Sequence, residues 1–279
     1  MTEWVVIIII AHKEHLTDSE KASLKQCYQV LGRYRIVLVC PKGLNVEVYR
    51  SIQPNAEFEF IDPHWQASYG MFNRLKIEPL LYKKYENYRF MLYYELDAWV
   101  FRDELIDWCN AGYDYIGAPW IKDFENSIPR FYPYGGNGGF SLRNIRSHLR
   151  VLSIYKIMKT PKQVWQYHKR FHSSFQLFLR LPVILLRVLG FQNNSVYITK
   201  KFWGNEDAYW SKIAIKIDPA FRPAPPEVAL KFSFEKHPSV LFPMNENKLP
   251  FGCHAFEKHD HTFWKPYIEI NAQEIKARE

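Results

Sequence analysis

With 279 residues, of which 47% are hydrophobic and 17% aromatic, the chain can bury a large core, which excludes a disordered or fibrous protein. Its net charge of +8 is unevenly spread: residues 126–205 hold thirteen Lys and Arg and no Asp or Glu, leaving 24 basic and 29 acidic residues elsewhere. Such a basic segment fits an anionic partner, whether a membrane surface, a phosphorylated substrate or nucleic acid.

In chain order, the first 120 residues alternate strand and helix signals as an α/β sheet requires. "EWVVIIIIA" is a continuously apolar, β-branched run, the signature of a central parallel strand covered on both faces. It is too short to span a bilayer and follows Glu3 rather than a basic cluster, so it reads as neither leader nor anchor. "TDSEKASLKQCYQVLG" predicts a helix with a capping box at Thr17 and Glu20 and a stop at Gly32. "YRIVLVCP" and "EFEFID" predict two further strands, "NRLKIEPLLYKKY" a helix with Pro79 near its first turns, and "YRFMLYYEL" a strand ending at carboxylates. "DELIDWCNAG" reads as a helix and "YDYIGAPW" as a strand. Beyond Trp120 the pattern loosens: "IPRFYPYGGNGGFSLR" reads as a loop leading into a basic helix over about residues 144–156, and "WGNEDAYWSKIAIKID" as helix followed by strand. Cys27, Cys40, Cys109 and Cys253 lack CxxC spacing and are expected as free thiols in a reducing compartment.

"MLYYELDAWVF" sets Glu95 and Asp97 inside an apolar run, where an unpartnered charge is costly. Residues two apart on an extended chain point the same way, so both acids can face one site at a strand's carboxyl end. Oxygen donors of this kind suit Mg²⁺ or Mn²⁺. Taken alone, the pair is more readily explained by capping or flanking the next helix.

Four blocks in order, "YELDAWVF", "YGGNGGFSLR", "GNEDAYW" and "PFGCHAF", resemble the GT-A fold nucleotide-sugar glycosyltransferases, and more narrowly a bacterial, DUF5672-like family of unknown function. The resemblance implies an α/β fold over residues 1–279: a GT-A-like, Rossmann-type mixed sheet flanked by helices, with a basic helical insertion at about 144–200. It implies a D-x-D motif at Glu95–Asp97, where Asp97 is the stronger metal ligand and Glu95 departs from the usual Asp and can reach sugar or ribose instead. It maps a glycine-rich loop onto Gly135, Gly136, Asn137, Gly138 and Gly139, whose backbone approaches the ligand while Asn137 meets substrate hydroxyls. It maps an x-E-D motif onto Asn205–Asp207, with Asp207 as catalytic base and Glu206 as its alternate, and a third metal ligand onto His254, with His259 and His261 nearby. Helix capping is the plain alternative for the two acids, and packing among aromatics the plain alternative for His254.

The activity implied is transfer of a sugar from a nucleoside-diphosphate sugar, UDP-sugar foremost, to a hydroxyl of a glycan or lipid-linked acceptor such as a surface polysaccharide or lipopolysaccharide, with inversion, Mn²⁺ or Mg²⁺ and no nucleic acid. The nucleotide is expected near Ala11, His12 and Lys13, with Lys258 on the diphosphate and Trp120 and Trp203 against a sugar face. Lys76 and Arg74 read as solvated helix charges, with donor contact as the alternative. Within the acid-free segment, "LFLRLPVILLRVLGF" is interrupted by Arg180, Pro182 and Arg187, a poor transmembrane helix but one suited to an anionic membrane surface or to a plain helical subdomain. The expected location is the cytoplasm, peripheral to the inner membrane face. A nucleotidyl or phosphoryl transferase would use the same acid pair, but no P-loop signature occurs; a non-catalytic anionic-surface or nucleic-acid module would leave the acids unemployed.

Overall fold

The computed structural model describes residues 3–276. The first part alternates β1 (Glu3–Ile10), α1 (Asp18–Leu31), β2 (Arg35–Pro41), α2 (Glu47–Ile52), β3 (Glu57–Ile61), α3 (Tyr69–Leu75), α4 (Pro79–Lys84) and β4 (Tyr88–Tyr94). Next come β5 (Trp99–Val100), α5 (Leu105–Asn110), β6 (Tyr115–Ile116), the hairpin of β7 (Ile121–Glu125) and β8 (Ile128–Phe131), β9 (Phe140–Asn144) and α6 (Ile145–Ser153). The basic segment supplies α7 (Pro161–Phe171), α8 (Ser174–Leu179), α9 (Leu181–Val188) and α10 (Ser195–Lys201). Then α11 (Glu206–Ala208) runs through a π-helical turn, Tyr209–Ile213, into α12 (Ala214–Ile217). The chain closes with α13 (Pro226–Phe232), β10 (Ser233–Phe234), α14 (Pro238–Met244), β11 (Gly252–Cys253) and α15 (His261–Lys276).

The main sheet runs β3-β2-β1-β4-β9-β6. Its first four strands are parallel, and β9 lies antiparallel between β4 and β6. This is the expected mixed α/β class. Period-two geometry explains why β1 is apolar at every position from Val5: Val5, Ile7 and Ile9 enter the core with α1, while Val6, Ile8 and Ile10 enter the core on the opposite face. The strand order reverses between β1 and β4, so a crevice opens at their carboxyl ends. A second, smaller sheet, β10-β11-β5, closes beside it.

The capping box at Thr17 and Glu20 is present. Three readings are corrected. The helix expected across "NRLKIEPLLYKKY" is two helices, because Pro79 starts a new one at its first turn and holds the preceding residue extended. The glycine-loop segment expected as loop ends in the internal strand β9, whose four residues from Phe140 to Arg143 are all buried. The strand signal after "WSK" is helical through Ile217, its alternation overridden by packing of Ala214 and Ile217 on the core. All four cysteines are free and buried. No described helix is long and apolar enough to cross a membrane.

Because Ile8 is fully buried between β2 and β4, Ile8→Ala is expected to lower unfolding free energy by about 2–5 kcal/mol through lost burial and a cavity; a urea titration measures it.

Candidate active site

After β4 the chain turns, the Ala98 N–H donating to the Glu95 carbonyl at 2.9 Å, while the Glu95 N–H donates to the Gly139 carbonyl at 2.8 Å. The turn leads into β5, which pairs antiparallel with β11 so that Trp99 faces Cys253. On its other side β11 pairs with β10, Cys253 beside Phe234. His254 and Glu235, one step beyond these pairs, and Asp97, two residues before Trp99, are therefore brought together by backbone register. His254 Nε2 lies 3.2 Å from Asp97 Oδ1 and 3.5 Å from Glu95 Oε2, and its Nδ1 lies 3.6 Å from Glu235 Oε1. Ala255, next in the chain, holds a left-handed φ of 53°, a strained value for a residue with a Cβ, at the cavity wall.

Glu95, Asp97 and His254 each offer a ligand atom within 4.8 Å of the others, the one such cluster among the described residues. Both ring nitrogens of His254 and Asp97 Oδ1 are buried without an aligned hydrogen bond. Adjacent octahedral ligands held about 2.1 Å from an ion are about 3 Å apart, close to the two observed spacings at Nε2. The set thus fits a divalent cation that accepts oxygen and imidazole ligands, and it selects His254 over His259 and His261. Burial alone would lower the His254 pKa, but Asp97, Glu235 and Glu95 outweigh it and hold the imidazole well above its usual value.

Glu95 is tethered from the opposite side. Burial raises its pKa, yet Lys76 and His254 together more than compensate and hold it far below the usual carboxylate range. Lys76 pairs directly with Glu95 Oε1 and lies 3.6 Å from Glu206 Oε1. Its amine is also 4.3 Å above the Phe72 ring. At 3% exposure Lys76 is not the solvated helix charge expected. Arg74 is likewise engaged, by Glu78 and the Thr199 carbonyl. Arg143, fully buried on β9, donates to Glu206 Oε1 at 2.9 Å and stacks 3.9 Å over Tyr93.

The glycine loop serves these side chains more than a ligand. A Cβ on Gly138 would lie 1.8 Å from Glu206 Oε1, and one on Gly139 would lie 2.1 Å from His254 Nε2. The Gly139 N–H, expected to face a ligand, donates to Asn137 Oδ1 at 2.7 Å, and Asn137 Nδ2 donates to Glu235 Oε1 at 3.0 Å.

Two cavities flank this frame. One of about 320 Å³ is lined by Ala11, His12, Lys13, Glu95, Asp97 and Lys258, while Lys76, Gly138 and Gly139 are outside its lining. The other, about 630 Å³, is lined by Trp120, Tyr132, Asn137, Asp207, Lys212 and Glu235, among others. Trp203 lies outside both linings, 71% exposed and packed on Gly70.

The two acids of the x-E-D motif separate cleanly. Glu206, 2% exposed and held by Arg143 and Lys76, lines neither cavity. Asp207 lines the larger cavity, and burial, reinforced by the charge of Glu206, pushes its pKa up to about 7. Arg143, Glu235 and Lys212 escaped the sequence reading. Lys76 carried a signal in its position between apolar Leu75 and Ile77; Glu235 and Lys212 carried none.

The chain matches the family described as "Protein of unknown function (DUF5672)" over residues 55–254 and belongs to it, the narrower family that the motif blocks resemble. Among solved structures it is similar to the apo WbbM bifunctional glycosyltransferase, at 13% identity over 100% of this chain and 52% of that one, TM-score 0.45. The chain therefore spans about half of that protein's length. It is also similar to apo mouse xyloside xylosyltransferase 1, at 11% identity over 90% of this chain and 97% of that one, TM-score 0.47. An active-site mutant of LgtC aligns at 12% identity over 89% of this chain and 86% of that one, TM-score 0.45. No curated protein matches in sequence.

Two substitutions test this frame. Lys76→Met leaves Glu95 and Glu206 without their shared cation, and is expected to cost about 3–5 kcal/mol of stability in chemical denaturation. Gly139→Ala drives a methyl into His254, and is expected to weaken Mn²⁺ binding at least about tenfold by titration calorimetry, as loss of ligand positioning does.

Proposed function

We propose that the protein is a metal-dependent glycosyltransferase of GT-A type, moving a sugar from a nucleoside-diphosphate sugar to a hydroxyl of a glycan or lipid-linked acceptor with inversion. One observation carries this reading: the Glu95, Asp97 and His254 cluster opens onto the cavity at the β1/β4 reversal, the place where open α/β sheets take nucleotides. Glu95, Asp97 and His254 would hold Mn²⁺ or Mg²⁺, which when bound supplies Lewis-acid neutralisation of a diphosphate leaving group. Ala11 and His12 border the nucleotide, and Lys258 brings a positive charge to the same cavity. Burial and the neighbouring Lys13 lower the His12 pKa, which favours a neutral ring there, able to accept or donate one hydrogen bond.

The acceptor is assigned to the larger cavity. Trp120 offers a flat apolar face to a sugar, and Lys212 is held 5.4 Å from its ring centre, with Tyr132 and Tyr134 also around the amine. Asp207 takes the acceptor proton; a raised pKa makes a carboxylate a stronger base while leaving it ionised above neutrality. Asn137 and Glu235 stand between the cavities, tying the base side to His254. A base in one cavity and the diphosphate in the other support a single displacement.

The test is a screen of nucleotide sugars with Mn²⁺, reading nucleoside diphosphate release and transfer. One donor is expected to react and chelation to stop it; no reaction with any donor, and no stabilisation by nucleotide plus metal, would overturn the proposal. Since Asp207 acts only when deprotonated, kcat/KM is expected to fall about tenfold per pH unit below its pKa of about 7 and to level off above it. Asp207→Asn is expected to lower kcat by about 10²–10⁴ while donor binding persists.

A further inference from the structure

Between Ile154 and Trp203 the chain leaves the sheet and returns, carrying nine Lys and Arg and no acid. The two ends of this excursion are fastened at a neck. The Met158 N–H donates to the Asn193 carbonyl at 3.0 Å and the Ser195 N–H to the Lys156 carbonyl at 2.8 Å. Buried Asn193 adds side-chain bonds to the Lys159 and Arg187 carbonyls and accepts from the Lys159 N–H, each at 2.9 Å. Above the neck, α7, α8 and α9 share a small core of Val164, Leu177 and Ile184 with Val188 against it.

That core uses only one face of each helix. Phe175, Phe178 and Leu179 on α8 are 72%, 68% and 60% exposed, and Leu185 and Leu186 on α9 and the following Leu189 are 61%, 48% and 68% exposed. Most of the large exposed apolar side chains among the described residues fall within this excursion. A helix apolar on the face opposite its own core has a second apolar neighbour to meet. The same module carries Lys162, Lys169, Arg170 and Arg180, exposed and without an ion pair among the described residues.

We infer that the α7–α9 module is a docking surface for an anionic lipid bilayer. Its charge selects this occupant: a second copy would bring two acid-free basic faces together, whereas lipid phosphates complement the cations while the acyl region takes the Phe and Leu side chains. The face lies apart from the catalytic cavities and stands independently of glycosyl transfer.

The full chain is sedimented with vesicles of phosphatidylcholine alone or mixed with phosphatidylglycerol. Binding is expected to the mixed vesicles at least tenfold above the neutral ones, and to weaken several-fold at high salt. Phe178→Ser with Leu185→Ser, and separately Lys169→Gln with Arg170→Gln, are each expected to reduce binding tenfold with an unchanged circular dichroism melt. Equal binding to both vesicle types, binding unaffected in both variants, or no binding would overturn the inference. So would a self-associating chain, seen by sedimentation velocity, whose dimer alone is lost in the Ser variant. Nucleotide-sugar turnover is not the readout, so failure here is distinct from failure of the proposed chemistry.

Discussion

The site depends on a buried exchange of charge in which Lys76 and Arg143 together hold Glu95 and Glu206. Four ionised groups in a low-dielectric interior survive only because each is paired and hydrogen-bonded. The pairing has a directional result. Lys76 occupies one oxygen of Glu95 and leaves the other toward His254, and Arg143 draws Glu206 inward so that Asp207, next in the chain, faces the cavity. The raised Asp207 pKa follows from the same arrangement, since burial and the nearby fixed charge of Glu206 both oppose its ionisation.

The second constraint is backbone register. Three two-residue strands, β5, β11 and β10, contribute little stability by themselves, yet their pairing places acids from two distant stretches of sequence around one imidazole. Gly138 and Gly139 complete the fit by omission: the space their side chains would need is filled by Glu206 and His254. Their role here is steric and does not rest on unusual backbone angles.

Much of this was legible beforehand. The parallel strands announced themselves through continuous β-branched runs, and β1 and β4 ended where the donor-site residues were expected. Asp97, His254 and Asp207 were expected from motif resemblance; Asp97 lines one cavity, Asp207 the other, and His254 lies within ligand distance of Asp97 behind the first. Less legible were features decided by long-range contact. β9 is antiparallel and preceded by glycines, so its local pattern reads as loop until β4 and β6 supply partners. Lys76, signalled only by its apolar neighbours, and Arg143 do not reveal their burial locally because it depends on acids 19 and 63 positions away. Glu235 needed the β10–β11 pairing, which two-residue strands do not advertise.

The placement of β9 also bears on how the chain is made. β4 is complete at Tyr94, but its outer partner begins only at Phe140, so the growing sheet carries an open apolar edge through the synthesis of β5 to β8. An unpaired edge of that kind invites pairing with other chains. The β5 turn and α1 cover the end of β4, through Ser23 and Tyr94 bonded to the Ala98 carbonyl, but not its length. Any fragment ending before residue 140 therefore keeps the fault permanently, which makes the glycine loop the hinge on which a nascent, aggregation-prone half-sheet becomes a closed one.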